Sequence, residues 1–162
     1  MDTHDFIARY GSIYEHAPWV AEQVGTLGGD IEDVSVLAVL MADCVDNAAV
    51  EQQLELIRAH PDLAGKAQVA GELTQASTAE QASAGLDQCS PQEFSRFQEL
   101  NDAYWQKFGF PFVMAVRGQD RVAILEAFAQ RLGNAYDLEF ETALIEIHKI
   151  ARLRLDAMRN NP

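Results

Sequence analysis

The chain has 162 residues, 48% hydrophobic and 23% charged, which is the composition of one globular domain spanning residues 1–162. Its 25 acidic and 12 basic residues give a net charge of −13, which opposes binding to the phosphates of nucleic acids. Two cysteines are too few for a disulfide framework, and no signal peptide or membrane-spanning stretch is visible, so we expect a cytoplasmic protein without a nucleic-acid or membrane partner.

Apolar residues at helical spacing run through the first half of the chain. One helix is predicted to begin after Asp30, whose carboxylate can accept hydrogen bonds from the free amides of the first turn. Asn47 is predicted to cap the next helix, which should end near His60 because Pro61 disfavours helical conformation in the residue before it. The inner face of that helix is predicted to carry Val50, Leu54 and Ile57.

The second half shows the same periodicity. Ser90-Pro91-Gln92-Glu93 is typical of a capped helix start, and Gly109 is expected to end that helix. The apolar run Phe110–Val116 is predicted to be a buried connector, since one strand cannot form a sheet. Asp120 and the stretch Asp137–Met158 indicate two more helices. The inner face of the helix after Asp120 is predicted to carry Val122, Leu125, Phe128 and Leu132. The chain is therefore predicted to be a compact all-α domain.

Three places could carry chemistry, and each has a structural alternative. Pro61 fixes His60 at a helix end, where it could serve as an acid–base group or simply interact with the helix dipole. Ser77 and Glu80 could line a site or form a capping box. Arg117 could clamp an anion or lie in a solvated turn. No Cys or His cluster has metal-ligand spacing, so we expect no metal site.

Three segments together resemble one family. They are His60-Pro61-Asp62-Leu63-Ala64-Gly65-Lys66, the Ser77-x-x-Glu80-Gln81 stretch that continues to Gly85-Leu86-Asp87, and Leu100-Asn101 through Phe110-Pro111-Phe112 to Arg117-Gly118. Their order and spacing are similar to 2-oxo-4-hydroxy-4-carboxy-5-ureidoimidazoline (OHCU) decarboxylase. Two further regions are similar as well, Tyr14–Val20 and Glu139–Leu155.

The resemblance implies an all-helical carboxy-lyase without a cofactor. Such an enzyme decarboxylates OHCU to (S)-allantoin in urate degradation, a branch of purine metabolism, and forms a homodimer. By resemblance, His60 and Glu80 are the catalytic residues. The substrate-binding residues implied in the same way are Pro61, Ser77, Gln81 and Arg117. One departure from the family pattern is Ala76, where many members have glutamate.

Two other functions compete with this interpretation. His60-Pro61-Asp62 is also the signature of J-domain co-chaperones, but the preceding stretch Val50–Arg58 carries two acids and one base instead of a basic surface. A catalytically inactive binding module on the same fold is the other alternative. The joint presence of His60, Glu80, Gln81 and Arg117 argues against it.

Overall fold

Helices account for the regular secondary structure of the part of the chain that the computed structural model describes, residues 1–27, 32–65 and 71–160. There are eight α-helices and a short 3₁₀ turn in these ranges. They are α1 (Thr3–Tyr10), α2 (Trp19–Gly25), α3 (Val34–Asp46), α4 (Val50–Arg58), α5 (Gln75–Ser83), the 3₁₀ turn (Leu86–Gln88), α6 (Pro91–Phe108), α7 (Arg121–Leu132) and α8 (Tyr136–Asn160). The predicted all-α class is confirmed. No helix in these ranges is long and apolar enough to cross a membrane.

Contacts between Cα atoms group the chain into two compact units. The first comprises Met1–Ala59 and Ile147–Pro162, and the second comprises His60–Glu146. The first unit contains α1 to α4 with the C-terminal part of α8, and the second contains α5 to α7 with its N-terminal part. All six predicted site residues belong to the second unit.

Polar side chains connect distant segments inside the first unit. His148 Nε2 lies 2.9 Å from Asp46 Oδ1, and because a carboxylate accepts, this nitrogen carries the proton. The Tyr14 hydroxyl is hydrogen-bonded to His148 Nδ1 at 2.7 Å. Burial raises the pKa of Tyr14, with Asp46 adding to the effect, so the hydroxyl keeps its proton. The Arg154 guanidinium donates to the buried Glu15 carboxylate at 2.7 Å.

Aromatic rings form the core of the second unit, centred on Tyr104. The ring centroid of Tyr104 lies 4.4 Å from that of Phe108 and 5.6 Å from that of Phe112. Phe112 in turn stacks on Phe128 at 3.9 Å, which joins the connector to α7. The tilted and edge-to-face arrangements of the two Tyr104 pairs are favourable ones for aromatic rings. The predicted connector Phe110–Val116 is thus confirmed as an irregular, largely buried segment.

A buried carboxylate, Glu139 on α8, completes this core. Its Oε1 accepts from the Tyr104 hydroxyl at 2.7 Å and from Arg131 Nε at 2.8 Å, while Oε2 accepts from Asn134 Nδ2 at 3.1 Å. Arg131 also donates to the Val113 carbonyl at 2.6 Å. One ion pair therefore ties α6, α7 and α8 to the connector that leads to Arg117.

Several predicted helix ends are confirmed. The Ser90 hydroxyl accepts from the Glu93 N–H, and the Glu93 carboxylate accepts from the Ser90 N–H, which is a complete capping box. Gly109 ends α6 in the left-handed conformation, with φ of 74°. The Asp120 carboxylate accepts from the Ala123 N–H at the start of α7.

Other predicted ends were wrong. Asp30 lies outside the described residues, and the carboxylate that caps α3 is Asp33, which accepts from the Ser35 N–H at 2.8 Å. Asn47 does not begin α4. It ends α3 instead, donating from its side chain to the Asp43 carbonyl, because an amide in the residue after a helix can reach the last free carbonyls.

Two predicted inner positions, Val50 and Val122, are exposed. Each lies in the first turn of its helix. The predicted inner residues Ile57 and Phe128 are buried, and so are Gln53 and Leu56 on α4 and Ile124 on α7.

Candidate active site

His60 begins a tight loop, residues 60–65, which we call the His60 loop. Helix α4 ends at Arg58, so His60 lies just beyond the helix, where only 7% of it is exposed. Ala64 in this loop adopts φ of 49°, a left-handed conformation that is unfavourable for a residue with a Cβ atom. A Cβ atom at Gly65 would lie 2.8 Å from the Cβ of Asp62, so only glycine fits there. The loop therefore has a defined and strained conformation.

Helix α5 carries the second group of predicted site residues. Its cap is Thr74, whose hydroxyl accepts from the Ser77 N–H at 3.2 Å. Ser77 is thus the third residue of the helix, and the alternative in which Ser77 and Glu80 form a capping box is wrong. Residues three and four apart share a helix face, so Ser77, Glu80 and Gln81 lie together. Ser77 and Gln81 are buried, and Glu80 is half-buried.

Gln81 joins α5 to the His60 loop. Its Oε1 accepts from the Ala64 N–H at 3.0 Å, and its Nε2 donates to the Asp62 carbonyl at 3.1 Å. One side-chain amide therefore satisfies two backbone groups of the loop. This contact brings the Ser77–Gln81 face against the segment that carries His60 and Pro61.

Helix α6 supplies a second set of contacts to the same loop. Gln98 Nε2 donates to the Ala64 carbonyl at 2.8 Å, and Asn101 Nδ2 donates to the Leu63 carbonyl at 3.0 Å. The indole N–H of Trp105 donates to Asp62 Oδ1 at 3.2 Å. We call Gln98, Asn101 and Trp105 the α6 donor row.

The Asp62 carboxyl group has a raised pKa. Burial raises its pKa because the carboxylate loses solvation, and the charge of Asp102 adds to the shift. The hydrogen bond from Trp105 opposes both effects, since it stabilises the ionised form. Trp105 thus influences the charge of the loop as well as its position.

Arg117 follows the connector at an exposed turn. Gln119 N–H donates to the Val116 carbonyl at 2.9 Å, and Gly118 takes φ of 83°, which closes the turn. Arg117 is exposed, and its role as an anion clamp stays a prediction. Its proximity to His60 stays a prediction.

A separate cavity of about 410 Å³ lies in the first unit. Its lining includes Gln23, Leu27, Cys44, Asn47 and Gln52, and none of the six predicted site residues. Burial raises the pKa of the Cys44 thiol, so the thiol is less reactive than an exposed one.

A family model described as OHCU decarboxylase matches residues 1–156. The chain belongs to the OHCU decarboxylase family. An OHCU decarboxylase of Haloferax volcanii is 45% identical over 155 residues, which cover 96% of this chain and 89% of that protein. The predicted family and the enzyme class, a carboxy-lyase, are confirmed.

Two solved structures share this fold. A structure of (S)-allantoin synthase superposes with a TM-score of 0.78 and 32% identity, and it covers 97% of this chain and 50% of that chain. A structure of OHCU decarboxylase in the presence of (S)-allantoin gives a TM-score of 0.73 at 23% identity, over 99% of this chain and all of that chain. The second comparison supports the fold assignment alone.

The OHCU decarboxylase motifs are visible in the sequence, whereas the contacts of the α6 donor row were not predicted. The apolar residues Phe97, Leu100 and Tyr104 dominate the helical pattern of α6, and they are buried. The available signal was the polar spacing of Gln98, Asn101 and Trp105, which differ by three and four residues and therefore share one face.

Proposed function

We propose that this chain decarboxylates OHCU to (S)-allantoin in urate degradation, with His60 as the acid–base group. The observation that carries the proposal is the family match over residues 1–156. Its support from geometry is the burial of His60 and the contact of Gln81 with the loop that begins at His60.

The substrate supplies the electron sink for this reaction. The carboxylated carbon of OHCU is bonded to an imine carbon. When CO2 leaves, the electron pair of the broken carbon–carboxylate bond forms a double bond between these two carbons. The imine electron pair moves to the ring nitrogen, which takes a proton. The hydroxyl then loses its proton and the former imine carbon gains one. No cofactor is needed for these steps, and the protein has to orient the substrate and deliver one proton to one face.

The predicted site residues suit those tasks. His60 can deliver the proton that creates the stereocentre of allantoin, and Arg117 can hold an anionic or carbonyl oxygen. Glu80 can accept a hydrogen bond from the ureido group or raise the energy of the substrate carboxylate beside it. We assign Pro61 and Ser77 to the lining of the same surface. The Gln81 Nε2 has a second N–H besides the one that donates to the Asp62 carbonyl, and we assign it to a ligand.

The decisive experiment generates OHCU freshly with urate oxidase and hydroxyisourate hydrolase, then follows its loss and the chirality of the allantoin formed. We expect accelerated loss and (S)-allantoin with the wild-type chain. His60→Ala should lower the turnover by about 10²–10⁴-fold. Racemic allantoin at the spontaneous rate with folded wild-type protein would refute the proposal. Retained turnover in His60→Ala with lost stimulation of an Hsp70 ATPase would favour the J-domain alternative.

The homodimer, the cytoplasmic location and the single domain rest on the family resemblance and the composition. Sedimentation of the purified chain tests the first, and a mass of about 36 kDa is expected because one chain has a mass of 17.9 kDa.

A further inference from the structure

We infer that Gln98, Asn101 and Trp105, the α6 donor row, are positioning residues for catalysis that fix the His60 loop against α5. The inference rests on the proposed function, because it assigns these residues to the proton delivery by His60. Its basis is geometric. Three donors on one helix face reach three consecutive residues, Asp62, Leu63 and Ala64, at 2.8 to 3.2 Å.

The loop is held from two sides. Gln81 on α5 binds the N–H of Ala64 and the carbonyl of Asp62, and the α6 donor row binds the two following carbonyls and the Asp62 carboxylate. Ala64 is the residue in the left-handed conformation, and both its N–H and its carbonyl are used. The hydrogen bonds from α5 and α6 thus stabilise the loop at Ala64, the residue whose backbone conformation is unfavourable by itself.

Asn101 shows that stability alone does not explain this arrangement. It is 3% exposed, and its Oδ1 has no hydrogen-bond partner among the described residues. A buried amide whose oxygen has no hydrogen-bond partner costs stability relative to an apolar side chain. In exchange, Asn101 holds the Leu63 carbonyl in place, three residues after His60.

The mechanism requires this precision. One proton has to reach one face of a planar intermediate, and misplacement of a catalytic group by about 1 Å can cost on the order of 10²-fold in rate. A loose His60 loop would lower the rate constant of the chemical step more than substrate affinity, and would let protons reach the other face.

The test compares Gln98→Met and Asn101→Leu, which keep side-chain size and remove the donor. We expect kcat to fall by about 10–100-fold in each, with a smaller change in KM and a lower enantiomeric excess of (S)-allantoin. Amide hydrogen exchange at Leu63, Ala64 and Gly65 should accelerate. Gln98 is half-buried and lies at the edge of the core, so Gln98→Met keeps the test available should Asn101→Leu not fold.

Gln53→Leu is the matched control. Gln53 is a buried amide that donates to the Val45 carbonyl at 2.9 Å in the first unit. Its loss should lower stability without changing kcat or the enantiomeric excess.

Each failure has its own signature. Wild-type protein without activity on OHCU would refute the proposed function and, with it, the catalytic role of the row. Active wild-type protein whose two variants keep kcat and enantiomeric excess would refute this inference alone, and so would unchanged amide exchange in the loop.

Discussion

Replacement of Glu139 by glutamine should be among the most destabilising single changes in the second unit. Three donors point at its carboxylate, from Tyr104, Arg131 and Asn134. An amide offers one acceptor oxygen, and its NH2 group would face donors. The change also removes the charge that balances Arg131, whose side chain is 13% exposed.

The magnitude follows from burial. Glu139 is fully buried, and breaking a buried ion pair by removing one partner costs about 3–5 kcal/mol. For a chain of this length, such a loss lowers the Tm by roughly 6–20 °C. It is also a large share of the free energy of unfolding, which is about 5–15 kcal/mol for a typical domain.

Urea unfolding at neutral pH measures the loss, with Glu99→Gln as the control. Glu99 pairs with Arg96 at 3.3 Å, but both side chains are more than half exposed, so its replacement should cost about 0–1 kcal/mol. The double variant Arg131→Met/Glu139→Gln should regain part of the loss, because no charge is then left unpaired. A cost for Glu139→Gln no larger than that of Glu99→Gln would show that this reasoning is wrong.

Three further outcomes are expected. Glu80→Gln should leave the Tm within about 1 °C, since Thr74 caps the helix, while turnover falls by one or more orders of magnitude; turnover close to that of the wild type would remove Glu80 from the site. Hydrogen bonds from the Ser90 backbone and from Arg121 hold the pKa of Glu93 below its ordinary value of 4.5. The resulting stabilisation is complete above pH 4.5 and is lost as the pH falls through the lowered value, so Glu93→Gln should flatten the Tm profile in that range; an unchanged slope would contradict this. Raising NaCl from about 0.1 to 1 M shortens the screening length from roughly 10 to 3 Å and should raise the Tm of a chain with net charge −13; a fall in Tm would show that attractive pairs dominate.

Local signals predicted the helices whose ends are encoded in neighbouring residues. Ser90 with Glu93, Gly109 and Asp120 all act within four residues, so the sequence contains the whole interaction. Asn47 was misassigned because one side chain can serve the end of one helix or the start of the next, and tertiary packing decides between them.

The parts of the site that are continuous in sequence could be predicted, and the contacts between them could not. The motif around His60 and the Ser77–Gln81 stretch are continuous in sequence, but the link between them is a contact across 17 residues from Gln81 to Ala64. The bond from Asn101 to Leu63 spans 38 residues. Periodicity does not report partners at such distances, so the α6 donor row became visible only in three dimensions.

The left-handed conformation of Ala64 has a consequence for how the protein responds to change. An alanine in this region is disfavoured by roughly 1–2 kcal/mol relative to the right-handed one. Loss of the hydrogen bonds that Gln81 and Gln98 make to Ala64 would therefore do more than increase the mobility of the loop within its present conformation. The His60 loop would move to a second conformation, in which Ala64 is right-handed. A variant that lacks one of these hydrogen bonds would be a mixture of the two conformers. In the population view, the hydrogen bonds around Ala64 set the ratio of those conformers, and the active fraction of the molecules scales with that ratio.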